Sequence, residues 1–252
     1  MRSTGKRERA SEPKSAVSDP LFLVDALPDG DELVLDGPEG HHAATVQRLR
    51  IGESLLVGDG LGTLVRASVT AVGKGTLSLR LGPRSFEPAP SPKIVVVQGI
   101  AKGDRGEMAV QTMTEVGVDT IVPWAAARSV AQWKSERSRQ RWVDTAREAT
   151  KQSRRAWVPV VEQPLSTADI VARFPGALVL HEEGTPSLST VEFPPGDEVV
   201  LVVGPEGGIT PDELGAFEKA GATAVRLGSN VLRTSTAGPA AIAVVSLRLG
   251  RW

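Results

Sequence analysis

The chain has no cysteine and no tyrosine among its 252 residues. The first absence removes disulfides, iron–sulfur clusters, thiolate zinc sites and cysteine nucleophiles together. Histidine is scarce as well: His41, His42 and His181 are the only three. A histidine-rich metal site is therefore not expected, and no metal is assigned. No run approaches roughly 18 uninterrupted apolar residues, the length that marks a membrane-spanning helix, so no membrane contact is expected. Net charge is also lacking: the formal value is −1, and any attraction to a polyanion must be local. The opening segment, MRSTGKRERASEPKSAVSD, has no apolar centre of the kind a secretory signal needs. Residues 1–18 are read as a disordered basic tail that can touch an anionic partner, and the expected location is cytoplasmic.

What is present is an apolar fraction of 40 %, enough for a real core. Two rhythms divide the chain. Residues 19–86 carry short apolar runs or alternations (LFLVDAL, DELVLDG, ESLLVGDG, TLVRASVTAV, GTLSLRLG) punctuated by Gly, Pro and Asp. They predict a small β-barrel, with one helix over 39–52. FEPAPSPK follows, and residues 87–93 read as a linker. From residue 94 the order becomes strand, helix, strand. KIVVVQGI, DTIVPW, GALVLHEEG, DEVVLVVGPEGG and ATAVRLGSN are strands, and unbroken apolar runs among them predict a sheet buried on both faces. Helices are expected at RGEMAVQTMTEVG, with Met113 as core filler, over 134–153, at TPDELGAFEKAGA and at STAGPAAIAVVSLRLG. The fold class is α/β with a mostly parallel sheet over residues 94–252.

Ligands of such sheets sit beyond the carboxyl ends of the strands. Three loops qualify: HEEGT (181–185), GPEGGIT (204–210) and GSNVLRTSTAG (228–238). GPEGGIT matches neither phosphate-binding glycine pattern. The helix after it opens with Thr210, Pro211, Asp212 and Glu213, a capping box that satisfies its own amides and adds two carboxylates. Glu206 is a third. The loop is thus expected to prefer a ligand without phosphate, such as an adenosyl group carrying a cationic sulfonium and an amino acid. In the next loop, Ser235 or Thr236 is the expected cap of the last helix.

VVGPEGGIT followed by RLGSNVLRTSTAG resembles the cofactor-binding signature of the SPOUT methyltransferases, and more narrowly the RsmE family, which methylates N3 of a uridine in 16S ribosomal RNA of the small subunit. AKGDRGEMAVQTMTEVGV, EATKQSRRAWVP and LHEEG resemble that family's other blocks, and GHHAATVQRLRIGE its PUA-like N-terminal domain. The resemblance implies a deep trefoil knot in the last third of the chain, S-adenosylmethionine as cofactor, a homodimer, and 16S ribosomal RNA or the small subunit as partner. It implies cofactor contacts at Leu180, His181, Gly204, Glu206, Gly207, Gly208, Leu227, Gly228, Ser229, Leu232 and Thr236. The family usually has Arg where this chain has Asn230 and Glu where it has Ser235. Leu232, Arg233, Thr234 and Ala237 match.

Methyl transfer to a uridine nitrogen displaces a proton and spreads negative charge onto the ring carbonyls. Arg233 is the candidate to stabilise that charge. It cannot be the base, since its guanidinium stays protonated. Glu206 is a candidate for a proton-accepting role, and the general base stays unassigned. His181 and Glu182 do not read as a metal pair, because adjacent strand residues point to opposite faces. Between Arg128 and Arg155 nine Lys or Arg stand against three acids, a local net charge of +6. Trp133, Trp142 and Trp157 lie within or beside this run; they can stack on bases, although Trp142 has the spacing of a core residue. RNA contacts are expected from Lys102, Arg105, Arg154 and Arg155, and in the small domain from His42, Arg48 and Arg50, the two arginines lying on different helical faces. Two other readings remain open: a SPOUT enzyme acting on another RNA site, and a non-catalytic, RNA-binding ribosome-assembly factor.

Overall fold

A computed structural model describes residues 19–131, 133 and 135–252. The basic tail and Lys134 lie outside the described residues. The first rhythm forms a five-stranded sheet: β1 (Leu21–Leu23), β2 (Glu32–Leu35), β3 (Ser54–Gly58), β4 (Thr63–Val72) and β5 (Leu77–Phe86). The spatial order is β1-β3-β4-β5-β2, with β1 parallel to β3 and every other pair antiparallel. Alternation explains its core. Val65, Ala67 and Val69 of β4 and Leu77, Leu79 and Leu81 of β5 face inward at a period of two, together with Phe22, Leu35, Leu55 and Val57.

The single helix of this part is shorter than its sequence suggests. Helix α1 starts at Gly37, with Pro38 pre-set for a first turn, and continues in π form only to Val46. Arg48 then adopts a left-handed backbone (φ 57°), which no right-handed helix accommodates. Arg48 and Arg50 are therefore exposed on an irregular segment, not on opposite faces of a helix.

The second part is an all-parallel sheet: β6 (Lys93–Gly99), β7 (Thr120–Trp124), β8 (Val160–Val161), β9 (Leu178–Leu180), β10 (Glu198–Val203) and β11 (Thr223–Val225), in the order β11-β9-β10-β6-β7-β8. Both faces are covered, which is why β6 and β10 read as unbroken apolar runs. On one face Ile94, Val96, Val199 and Leu201 pack against α2 (Arg105–Glu115), α3 (Glu136–Ser153) and α6 (Thr234–Arg248), through Met113, Trp142 and Ile242. On the other, Val95, Val97, Val200 and Val202 meet α4 (Thr167–Arg173) and α5 (Pro211–Lys219), through Ile170 and Phe217. The sequence reading omits α4 and β8. Helix α4 has a signal in Ser166 and Asp169, which close a reciprocal capping box; β8 has two residues and offers none.

The basic stretch around α3 is stitched to the small sheet. Gly62 N–H donates to Ala156 O and Val158 N–H to Gly60 O, both at 3.0 Å. Arg147 Nη2 donates to Leu23 O at 2.8 Å. Lys151, only 9 % exposed, lies 2.8 Å from Glu39 and 2.7 Å from Glu148.

Candidate active site

Three connections leave the carboxyl ends of adjacent strands β9, β10 and β11 and converge on one cleft of about 700 Å³. The first supplies Leu180, His181 and Glu182, the second Val203 to Ile209, the third Arg226 to Thr234. Arg105 at the start of α2 and Arg128 after β7 also line it.

The 204–208 turn is shaped by contacts within the protein. Gly208 takes a positive φ of 74°. A Cβ on Gly207 would sit 2.8 Å from Arg128 Cβ and 2.9 Å from its carbonyl oxygen, and Arg128 Nη1 donates to Gly207 O at 3.2 Å. The capping box forms as the sequence indicates: Glu213 N–H donates to Thr210 Oγ1, and Thr210 N–H to Glu213 Oε2. The Glu213 carboxylate points inward and also accepts from Ala127 N–H at 2.8 Å and Thr167 Oγ1 at 3.0 Å. Burial pushes its pKa up, but these hydrogen bonds outweigh burial and hold the carboxyl below its ordinary value.

The cap of α6 differs from expectation. Arg233 is the N-cap, and no side chain caps the helix. Thr234, its first residue, instead latches two loops. Its hydroxyl donates to Gly204 O at 2.7 Å and accepts from Gln98 Nε2 at 2.8 Å, with Gln98 fully buried. Thr236 is exposed in the first turn and outside the lining, so it does not join the ten other expected cofactor residues, all of which line the cleft. Arg233 lines it too. Glu206 Oε1 accepts from the Lys102 backbone N–H at 3.2 Å and lies 3.5 Å from Arg105 Nη1. The strand alternation does not extend to His181 and Glu182, because β9 ends at Leu180; both residues line the cleft. His181 Nδ1 accepts from Glu183 N–H at 3.2 Å.

The charge is not where composition suggests. Arg105, Arg128, Arg226 and Arg233 face the cleft against Glu182 and Glu206. The expected acidic character fails because Glu213 turns inward and the arginines arrive from other loops. Conversely, the basic run is largely occupied in structure. Arg155 donates to Thr114 O and faces Asp119 at 3.6 Å. Burial draws its pKa below the usual arginine value and Arg251 adds to the fall, while Asp119 opposes it. Arg139 donates to the carbonyls of Val161 and Glu162. Arg154 is exposed. The tryptophans are engaged within the protein: Trp142 is 2 % exposed with Trp133 edge-on at 4.8 Å, and Trp157 donates to Glu87 O and lies edge-on to Phe86. His42 is half-buried, edge-on to Phe22. Sequence reasoning missed Arg128, Arg226 and the Gln98–Thr234 pair as site residues. Arg226 alone had a usable signal, its place directly after a strand that feeds the cleft.

Two family models match the chain, an RNA methyltransferase domain over residues 87–246 and an RNA methyltransferase PUA domain over residues 35–82. The ribosomal RNA small subunit methyltransferase E of Mycobacterium bovis is 46 % identical over 243 residues, covering 92 % of this chain and 93 % of that protein. The chain belongs to the ribosomal RNA small subunit methyltransferase E family. The Bacillus subtilis member is 30 % identical, covering 84 % of this chain and 88 % of its own length. The crystal structure of the Neisseria gonorrhoeae member bound to S-adenosylmethionine superposes with a TM-score of 0.83 at 29 % identity, covering 92 % of this chain and 98 % of that one.

Proposed function

We propose that this chain methylates N3 of a uridine in 16S ribosomal RNA of the small subunit, in the cytoplasm, with S-adenosylmethionine as donor. One observation carries the reading: the loops after three adjacent parallel strands close on a single cleft, latched by Thr234 on Gly204, in a member of this family. The residues suit the cofactor. Leu180, Val203, Ile209 and Leu227 give apolar walls, and a Cβ on Gly228 would meet nothing within 4 Å, which leaves that backbone open to a ligand. When bound, S-adenosylmethionine supplies an electrophilic methyl group on a positively charged sulfur.

The chain's own groups then divide the work. The backbone around Gly204, Gly207, Gly208 and Gly228 holds the donor in line, and alignment supplies most of the acceleration. Arg233, exposed at the cleft and without a side-chain partner among the described residues, stabilises negative charge on the uridine carbonyls. Glu206, tied to Lys102 N–H and Arg105, is a strap that presents Arg105. RNA contacts run from Lys102 and Arg105 to Arg154, and on the small domain to His42, Arg48 and Arg50.

Two further features belong to this reading. A deep trefoil knot in the last third of the chain is part of the same reading, supported by membership of the family. A homodimer is supported by the exposed apolar side chains of Val231, Leu247 and Trp252. Mass spectrometry of small-subunit ribosomal RNA from cells with and without the gene should show one missing base methyl. An unchanged methylation map overturns the enzymatic reading, and RNA binding without turnover favours the assembly factor.

A further inference from the structure

The cleft holds more positive charge than its chemistry uses. The whole chain is at −1, yet four arginines face one cleft with only two carboxylates, and one of these, Glu206, is already paired with Arg105. Arg128 spends one Nη on the carbonyl of Gly207, which leaves its charge uncompensated. Arg233 has a role in the reaction.

Arg226 has none. Its backbone is pinned on both sides: its N–H donates to Pro186 O, and its carbonyl accepts from Leu188 N–H, each at 2.9 Å. Its side chain is exposed and has no partner among the described residues. A rigid base under a free guanidinium is the arrangement of a recognition residue, because the fork is aimed without being consumed. The cofactor is a poor complement for this charge, because its sulfonium and amine outweigh its one carboxylate. The negative charge that develops on the uridine carbonyls is already met by Arg233. The remaining anion in the reaction is the phosphodiester chain.

We propose that Arg226, with Arg128, grips the RNA backbone beside the target nucleotide. The inference rests on the RNA-methyltransferase reading and adds to it where the substrate strand crosses the cleft. Such contacts position the strand without reading its sequence.

The test compares wild type with Arg226→Gln and Arg226→Lys in the full chain. Binding of a fluorescent oligouridylate is followed across a salt series, and S-adenosylmethionine affinity is measured by calorimetry. Arg226→Gln should weaken RNA binding about 10-fold at low salt and flatten the log–log salt slope by about 0.7, the value for one lost single-strand phosphate contact. Arg226→Lys should stay within about 3-fold of wild type, since the charge remains. Cofactor affinity should not move. Unchanged RNA affinity and slope in Arg226→Gln overturns the proposal, as does weakened cofactor binding with RNA binding intact, which would put the guanidinium on the cofactor's carboxylate. A wild type that methylates RNA while Arg226→Gln behaves identically sinks only this assignment. A wild type that binds no RNA at any salt sinks the functional reading, and this inference with it.

Discussion

The Thr234 hydroxyl donates to the Gly204 carbonyl across 2.7 Å, joining residues thirty positions apart from two of the three loops that shape the cleft. The same oxygen accepts from Gln98, so β6, the turn after β10 and the first residue of α6 share one hydroxyl. Thr234→Val keeps the shape and removes the hydroxyl. The part-buried Gly204 carbonyl then loses this donor, and the buried Gln98 amide keeps only its bond to Gly99 O, at a cost of about 1–3 kcal/mol. Urea denaturation should register that loss, and calorimetry should show weaker S-adenosylmethionine binding. Thr234→Ser should restore both, and unaltered cofactor affinity in the valine variant would remove the latch from the account.

Arg233→Ala should lower turnover by about 10²–10³, the usual effect of removing one donor to developing negative charge. Cofactor affinity should change little. Equal losses in turnover and cofactor binding would reassign Arg233 from the reaction to the binding of the donor.

Glu206→Gln separates a strap from a base. The amide still accepts from Lys102 N–H but gives up the ion pair with Arg105. If Glu206 positions the 102–105 loop, the RNA KM rises, kcat stays within about 10-fold, and the acid limb of the pH profile is unchanged. A fall in kcat of about 10²–10⁴ with loss of that limb is the signature of a general base.

Glu213 should shape acid stability. Its folded pKa lies below the ordinary 4.5, so its contribution is fully present above that value and is lost as pH falls through the folded pKa. Thermal melts over the acid range should steepen in wild type and flatten in Glu213→Gln. At neutral pH Glu213→Ala should cost about 2–4 kcal/mol, because the cap and the partners Ala127 and Thr167 go unsatisfied together.

The sequence made the alternation of β4 and β5 and the double-sided burial of β6 and β10 readable, since periodicity reports which faces are covered. It made the glycine turns and the Thr210 cap readable because backbone demands choose residue types. Charge placement was another matter. Arg155 and Lys151 look like neighbours of Arg154 in a basic run, yet tertiary packing sends the first to Thr114 and Asp119 and the second to Glu39. Arg105, Arg128 and Arg226 are far apart along the chain and meet only through the order of strands in the sheet. Apart from the place of Arg226 directly after β11, no local pattern encodes either outcome. The left-handed Arg48 that shortens α1 is equally silent, because arginine carries no preference for that conformation.

The main-chain bonds between residues 60–62 and 156–158, locked by Lys151 against Glu39, have a mechanical consequence. The small sheet is not a tethered arm that searches for RNA; it is bolted to the catalytic half. Whatever nucleic acid engages both must already hold, or be bent into, the spacing that the protein dictates. Selection by contour is then built into the enzyme before any base is read, and loosening the joint with glycines at 156 and 158 should blur the choice of target while sparing methylation of small, unstructured RNA.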